Sequence, residues 1–236
     1  MRQFIFSIFF LLLPGSVSVT GKSGMPEVNR SIKVDEATKL YTSMNLEGII
    51  SKEAFCQAVT GYWKITGRKR EVLTVIDFSK PSTEQRLYVF DMKQHKMLFS
   101  SVVAHGRNSG NNYATSFSNE YGSYKSSLGF YLTETTYQGK NGYSLILNGL
   151  EKGINDKARM RSIVVHGADY ADPSVARCGG RLGRSLGCPA LPPALSRPII
   201  DAIKGGSVMY IYAATADYLA HSSILHSSDS LQLKRL

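Results

Sequence analysis

The sequence predicts a mainly β (α+β) fold, a β-sandwich or a barrel, with a helical segment in front of it. Short runs of β-branched and aromatic residues recur from residue 71 onward, and Gly, Pro, Asn and Ser residues separate them. Helical periodicity is confined to a segment before these runs and to one segment near the end of the chain. Strands and helices do not alternate as a parallel α/β sheet requires, which disfavours that class.

The helical segment is expected over residues 35–66. Ser51 has the residue type of an N-cap, and Glu53 falls in the first turn, where a negative charge favours a helix. An apolar stripe at helical spacing then follows, made of Ala54, Phe55, Ala58, Val59, Tyr62 and Trp63. We expect this stripe to pack on the domain that follows, and the polar residues 19–34 to form a linker.

The strands are expected at 71–78, 86–92, 96–104, 129–133, 143–147, 162–166 and 207–213. A long Gly-, Asn- and Ser-rich loop over 105–124 interrupts them, and loops of this length are often functional. Pro192-Pro193 opens a helix that Gly205-Gly206 closes. The main domain is therefore expected over 67–214, and residues 215–236, which have no clear period, are expected to be a tail.

The first 18 residues have the pattern of a secretory signal peptide. A short basic start, Met1-Arg2-Gln3, precedes an apolar run over 4–13, and small residues follow the break at Pro14-Gly15. The run is about half the length of a transmembrane helix. We expect export to the periplasm or cell envelope with no membrane span after cleavage, the alternative being an uncleaved anchor.

Composition and charge narrow the partners. Among 236 residues, 43% are hydrophobic and 19% charged, so the chain is globular rather than disordered. The formal net charge of +10 favours nucleic acid, acidic lipid or a cell-wall polymer, and export makes nucleic acid the least expected. A basic surface that serves solubility alone remains an alternative. Three cysteines are too few for a disulfide-dense scaffold or a four-cysteine zinc site.

Residues 162–191 contain the candidate chemistry. An apolar strand delivers His166 and stops at Gly167, and a Gly- and Arg-rich loop leads to Ser185-Leu186-Gly187-Cys188. Cys188 suits a nucleophile, His166 can be its base, and Arg184 adds a positive field. The amides of Gly187 and Cys188 can point at a developing oxyanion. The pattern predicts acyl transfer through a thioester.

The same stretch resembles the L,D-transpeptidase catalytic domain family, in its murein transpeptidase-like branch. The matching residues are His166, a spacer over 167–184, and Ser185-Leu186-Gly187-Cys188. The segments 105–110, 117–119, 126–131 and 180–185 are also similar to that branch, so the resemblance covers about residues 45–213. Leu186 departs from the family's usual histidine, and Pro189-Ala190 departs from the polar or basic pair that often follows the cysteine.

The resemblance implies a mainly β catalytic domain in which Cys188 is the nucleophile, His166 its base, and the main-chain carbonyl of Gly167 the group that orients the imidazole. It implies peptidoglycan stem tetrapeptides as substrate, without a cofactor or metal. Cys188 would attack the carbonyl of the third residue, the terminal D-alanine would leave, and an amine of a neighbouring stem would take the acyl group in a 3→3 crosslink.

Three alternatives remain open at this point. Water in place of the amine would make the protein an L,D-carboxypeptidase, and a peptidoglycan-binding protein without catalysis would use the 105–124 loop and the basic surface. A zinc hydrolase would use His105, His166, Cys178 and Cys188, although no close-spaced ligand pair supports it.

Further residues are expected to contact the substrate. Arginine forms bidentate pairs with carboxylates, so Arg181 and Arg184 are expected to meet a stem carboxylate, the alternative being solvated loop arginines. The other expected substrate contacts are Ser185, His105, Asn108 and Ser127, with a purely structural role as the alternative for His105.

The cysteines should differ in state. We expect Cys188 to be free, and Cys178 to be either buried or paired with Cys56. A disulfide between Cys178 and Cys188 would exclude Cys188 as nucleophile. His95, His221 and His226 lie in turn or tail contexts and are expected to be solvated.

Overall fold

A computed structural model describes residues 27–226, and the side chains from residue 35 onward. The predicted signal peptide over 1–18, the start of the predicted linker and the last residues of the predicted tail lie outside the described residues. No helix in the described part of the chain is long and apolar enough to cross a membrane.

The described chain is built of helices at both ends and a sheet between them. The helices are α1 Glu27–Ser43, α2 Lys52–Lys64, α3 Pro173–Gly179, α4 Pro193–Ile203, α5 Ala216–His221 and α6 Ser223–His226, with a 3-10 turn over Asp169–Ala171. The strands are β1 Val72–Asp77, β2 Leu87–Asp91, β3 Lys96–Ser101, β4 Gly129–Gly139, β5 Gly142–Gly149, β6 Val164–Gly167, β7 Ala190–Leu191 and β8 Val208–Tyr212.

All eight strands belong to one mixed sheet in the order β3-β2-β1-β8-β4-β5-β6-β7. The pairs β1–β8 and β6–β7 are parallel, and the other pairs are antiparallel. Beyond the end of β3, Ala104 bridges to Ala190 of β7, so the two edges of the sheet meet. The sheet is therefore a nearly closed barrel, which confirms the predicted mainly β, barrel-like fold.

Helix α2 packs on this barrel against β1 and β8. Ser51 caps α2, and its hydroxyl accepts a hydrogen bond from the amide of Ala54 at 3.3 Å. Phe55 and Val59 are fully buried. At Gly61 a Cβ atom would stand 2.1 Å from the Phe130 ring, so the missing side chain lets α2 approach β4.

The largest difference from the sequence prediction concerns the tail. Residues 216–226 form α5 and α6, and the Lys64 ammonium donates to the carbonyls of Ile224 and Leu225, both at 2.9 Å. The carboxylate of the fully buried Glu151 accepts from the hydroxyls of Tyr218 and Ser222. The described part of the segment is therefore folded onto the domain, because these buried polar groups need partners.

Other boundaries also shift. α1 begins at Glu27, inside the expected linker, and β4 continues to Gly139 rather than ending at residue 133. The loop between the expected strand at 162–166 and Cys188 contains α3, which the sequence prediction omitted. α3 begins with Pro173 at its first position after the N-cap Asp172, whose carboxylate accepts from the Ser174 amide at 2.8 Å.

Candidate active site

The turn that carries Cys188 is organised by Ser185. The Ser185 hydroxyl accepts from the Gly187 amide at 3.0 Å and donates to the Cys188 carbonyl at 2.6 Å. Its main chain is held as well, since its amide donates to the His105 carbonyl at 2.9 Å. Leu186 is left at the tip of the turn with 57% of its surface exposed. Ser185, expected to contact substrate, is thus buried and shapes the turn over 185–188, which we call the Cys188 turn.

Gly187 fits this turn because no side chain could replace its hydrogen. Its φ is +127°, a conformation that residues with a Cβ rarely adopt. A Cβ there would stand 2.8 Å from the Lys125 carbonyl oxygen and 2.9 Å from Cδ1 of Ile163. The residue therefore lets the chain pass tightly between two neighbouring segments just before Cys188.

The Cys188 side chain is buried, with 8% of its surface exposed. Its thiol lies 3.6 Å from the Ser162 carbonyl, to which it donates, and its sulfur accepts from the Val164 amide at 3.5 Å. Burial raises the pKa of the thiol, while the Val164 amide and the Arg161 charge act against that rise. The resting state is a neutral thiol docked against the start of β6.

Strand pairing holds the main chain of His166 beside the residues that follow Cys188. In the parallel β6–β7 pair it lies opposite Ala190, and its amide donates to the carbonyl of Pro189, the residue after Cys188, at 3.4 Å. Its Nδ1 donates to the Gly167 carbonyl at 2.9 Å, which leaves the Nε2 lone pair free to accept a proton. Burial lowers the pKa of His166. The imidazole is therefore neutral and oriented by the carbonyl that the sequence indicated.

The predicted oxyanion pair is only partly available in this conformation. The Gly187 amide is already engaged by the Ser185 hydroxyl, as described above. The Cys188 amide is the member of the pair that the Ser185 turn does not engage. A developing oxyanion is therefore better served by Cys188 than by Gly187 here.

His105 is not a surface residue of a substrate groove, which corrects one of its two expected roles. It is 1% exposed, and its Nδ1 accepts from the fully buried Arg86 at 2.8 Å. Its Nε2 lies 3.4 Å from the Gly110 carbonyl. Burial and the Arg86 charge lower the pKa of His105 to about 4. It is a neutral core residue that supports the main chain bonded to Ser185.

The other expected substrate contacts are occupied with loop carbonyls. Arg181 donates to the Leu182 carbonyl at 2.8 Å, and Arg184 donates to the carbonyls of Arg107 and Gly110 at 3.1 and 3.0 Å. Asn108 donates to the Ser123 carbonyl at 2.9 Å, and the buried Ser127 hydroxyl donates to the Ser118 carbonyl at 2.8 Å. These side chains hold the 105–128 region and the Cys188 turn together.

Sequence reasoning missed Arg161. Its guanidinium donates to the Ser118 carbonyl, the Ser127 hydroxyl, the Ser123 hydroxyl and the Lys125 carbonyl, at 2.7, 2.5, 3.2 and 2.6 Å respectively. No local signal could have shown this, because every partner comes from a distant loop.

An open groove begins one residue beyond His166. It has a volume of about 550 Å³ and is lined by residues 140–143, 167–170, Pro193, Ser196 and Arg197. We call it the hairpin groove, because the turn between β4 and β5 forms one wall. Lys140 and Arg197 give it two cations against the single carboxylate of Asp169, and Arg197 lies 4.3 Å from the centre of the Tyr143 ring.

The three cysteines are all free, as expected for Cys188. Cys178 is exposed on α3, and Cys56 is half-buried on α2. The expectation that Cys178 is buried or paired with Cys56 was therefore wrong. Within residues 27–226, no three of the histidine, cysteine and acidic side chains are grouped to hold a metal ion, so the zinc alternative gains no support.

Comparisons with known proteins address the family. The family model of the L,D-transpeptidase catalytic domain matches residues 46–212, which contain the Cys188 turn and every strand of the described chain. A search of proteins with curated descriptions found no match.

Solved structures show a distant likeness. An L,D-transpeptidase from Mycobacterium smegmatis is 15% identical with a TM-score of 0.38, and the alignment covers 61% of this chain and 59% of that one. An L,D-transpeptidase from Stackebrandtia nassauensis is 15% identical with a TM-score of 0.36, covering 78% and 79%. These values are too low to carry an argument, but the family match confirms the resemblance seen in the sequence. The chain belongs to the L,D-transpeptidase catalytic domain family.

Proposed function

We propose that the protein is an exported, cysteine-dependent L,D-transpeptidase that acts on peptidoglycan stem tetrapeptides. The observation that supports this most is the parallel pairing of β6 with β7, because β6 carries the neutral, oriented imidazole of His166 and the buried thiol of Cys188 lies two residues before β7. The catalytic domain would span residues 67–214, and the signal peptide over 1–18 would deliver it to the periplasm or cell envelope.

The first step uses the free Nε2 of His166. The thiol turns from the Ser162 carbonyl toward the imidazole, which takes its proton as the sulfur attacks the carbonyl carbon of the third stem residue. The new oxyanion is stabilised by the Cys188 amide. When the tetrahedral intermediate collapses, Nε2 returns the proton to the nitrogen of D-alanine, which leaves, and the acyl group stays on sulfur as a thioester.

The second step reverses the roles of the same groups. An amine of a neighbouring stem attacks the thioester carbonyl while His166 takes its proton. The C–S bond then breaks and the thiolate is reprotonated. Atoms balance: one amide bond is broken, one is formed, and D-alanine is released.

The hairpin groove offers a place for the peptide around this centre. Its two cations, Lys140 and Arg197, suit the carboxylates of stem peptides, and it opens directly beside Gly167. This agrees with the anionic cell-wall partner that the net charge of +10 favours.

Product analysis tests the proposal. The protein lacking residues 1–18, Cys188→Ala and Cys178→Ala would be incubated with a disaccharide-tetrapeptide, and both products and intact protein mass would be followed. We expect crosslinked dimers, D-alanine release and a transient acyl-enzyme in the wild type and in Cys178→Ala, because Cys178 is exposed on α3. Cys188→Ala should show none of these.

Other outcomes have definite meanings. Tripeptide without dimers would replace the proposal by an L,D-carboxypeptidase. No turnover and no acyl-enzyme with several stem types would overturn catalysis and favour a binding role.

A further inference from the structure

Arg161 stands beside the nucleophile. It directly precedes Ser162, whose carbonyl accepts from the Cys188 thiol, and it lies three residues before Val164, whose amide donates to the sulfur. A Cβ atom on Gly187 would stand 3.5 Å from Nη2 of Arg161. The guanidinium therefore lies against the turn that carries Cys188.

The guanidinium is fixed without being neutralised. Its four hydrogen-bond acceptors, two carbonyls and two hydroxyls in the segment 118–127, are uncharged. The nearby carboxylate of Glu120 pairs instead with the Lys157 ammonium at 2.7 Å. A rigid cation with neutral partners is suited to stabilise negative charge that forms next to it.

The other titratable groups around the sulfur do not supply a positive charge. His166 is neutral because burial lowers its pKa. Tyr170, which also faces Cys188, stays protonated because burial raises its pKa to about 12. Arg184, to which the sequence assigned the positive field, donates to loop carbonyls of Arg107 and Gly110.

We propose that Arg161 is a positioning residue for Cys188. Its guanidinium fixes the Cys188 turn against segment 118–127 and stabilises the thiolate as it forms. The inference rests on the proposed role of Cys188 as nucleophile and extends it to a residue outside the sequence motif. Neutralising the guanidinium should raise the pKa of the thiol, and one pKa unit corresponds to about a tenfold change in thiolate fraction below the pKa.

The pH dependence of alkylation measures this directly. Iodoacetamide modification of Cys188 would be followed by peptide mass mapping in the wild type, Arg161→Gln, Arg161→Lys and Arg159→Gln. We expect the midpoint to rise by about one unit in Arg161→Gln, with about tenfold slower alkylation at neutral pH. Arg161→Lys should restore most of the difference, and Arg159→Gln should match the wild type because the Arg159 side chain is exposed and pairs with Glu134 at the surface.

A second variant covers the case in which Arg161→Gln does not fold. Ser123→Asp leaves Arg161 in place but puts a carboxylate where the Ser123 hydroxyl accepts from Nη2. Ser123→Asp should also raise the midpoint of the pH dependence of Cys188 alkylation. An unchanged midpoint in a folded Arg161→Gln or Ser123→Asp protein would overturn the inference.

The readout separates this inference from the proposed function. Alkylation requires no peptidoglycan, so a shifted midpoint together with absent crosslinking would uphold Arg161 and reject the proposed reaction. Normal crosslinking with an unshifted midpoint would do the reverse.

Discussion

Burial acts in opposite directions on the two central side chains. It raises the pKa of the Cys188 thiol and lowers that of the His166 imidazole, so both groups are uncharged near neutral pH. An ion pair of thiolate and imidazolium would need the reverse shifts. In the proposed reaction the proton would therefore be transferred during attack and not before it, with Nε2 free and neutral when the substrate arrives.

The neutral state of Cys188 and His166 predicts how kcat/KM of the proposed reaction depends on pH. The acid limb of kcat/KM should lie below the ordinary histidine pKa of about 6.5, because only protonation of a buried His166 removes the base. D-alanine release would be measured between about pH 4.5 and 9, with circular dichroism at each pH as a control for folding. An acid limb above neutrality in the folded protein would indicate a thiolate–imidazolium pair instead.

At the scale of elements, the last two helices are held by a buried acid. Oxygen atoms of Glu151 accept from the Phe130 amide at 2.8 Å and from hydroxyls of Tyr218 and Ser222 on and just after α5. Lys64 of α2 meets the carbonyls of α6. The last two helices are thus fastened to β4 through Glu151 and to α2 through Lys64.

Replacing that acid should loosen these helices. In Glu151→Gln an NH2 group, itself a donor, would replace a carboxylate oxygen that accepts hydrogen bonds, so donor would face donor. The expected cost is about 1–3 kcal/mol in unfolding free energy. We expect faster amide hydrogen exchange in residues 216–226 and a lower melting temperature. Glu120→Gln is the matched control, because its side chain is 72% exposed. Equal exchange in both variants would show that Glu151 does not hold the helices.

The sequence predicted elements whose pattern is local and missed those that depend on distant partners. Strands β1, β2 and β8 were found because they are apolar at nearly every position. The outer part of β4 is polar and largely exposed, so its pairing with β5 leaves no apolar pattern. α5 and α6 were missed because their stability depends on Glu151 and Lys64.

The candidate site divides in the same way. Cys188, His166 and Gly167 follow a motif within a short stretch, and the pairing of β6 with β7 places the segments that carry them side by side. Arg161 is held by segment 118–127, and the two roles expected for His105 could not be separated because its partner Arg86 is distant in the sequence. Residue type alone does not distinguish a buried histidine from one that lines a groove.

For the whole molecule, the buried Arg86–His105 pair links stability to pH. Folding holds the pKa of His105 at about 4, below its unfolded value of about 6.5. The stabilisation is complete above the unfolded pKa and is lost as the pH falls toward the folded one, because the unfolded chain then binds the proton more readily.

We therefore expect the unfolding free energy to fall by on the order of 2 kcal/mol between about pH 7 and pH 4.5. Urea unfolding across this range measures it. His221→Gln should leave the dependence of the unfolding free energy on pH, the slope, unchanged, since the His221 side chain is 69% exposed. His105→Gln should reduce the slope and leave the share that the buried His166 contributes. A slope unchanged in a folded His105→Gln protein would assign the acid sensitivity to other groups.

The strand order has a consequence for how the chain reaches its native state. β8, the last strand in sequence, lies between β1, the first, and β4. Apart from the isolated bridges of Ala104 and Gly106, β8 is the strand that joins the two halves of the described sheet, and the parallel β1–β8 pair closes a very long loop. Such non-local pairing slows two-state domains to about milliseconds to seconds. The turn that carries Cys188 bonds to His105, which follows β3, and to Ser162, which precedes β6, so its surroundings are complete only once the two halves have met.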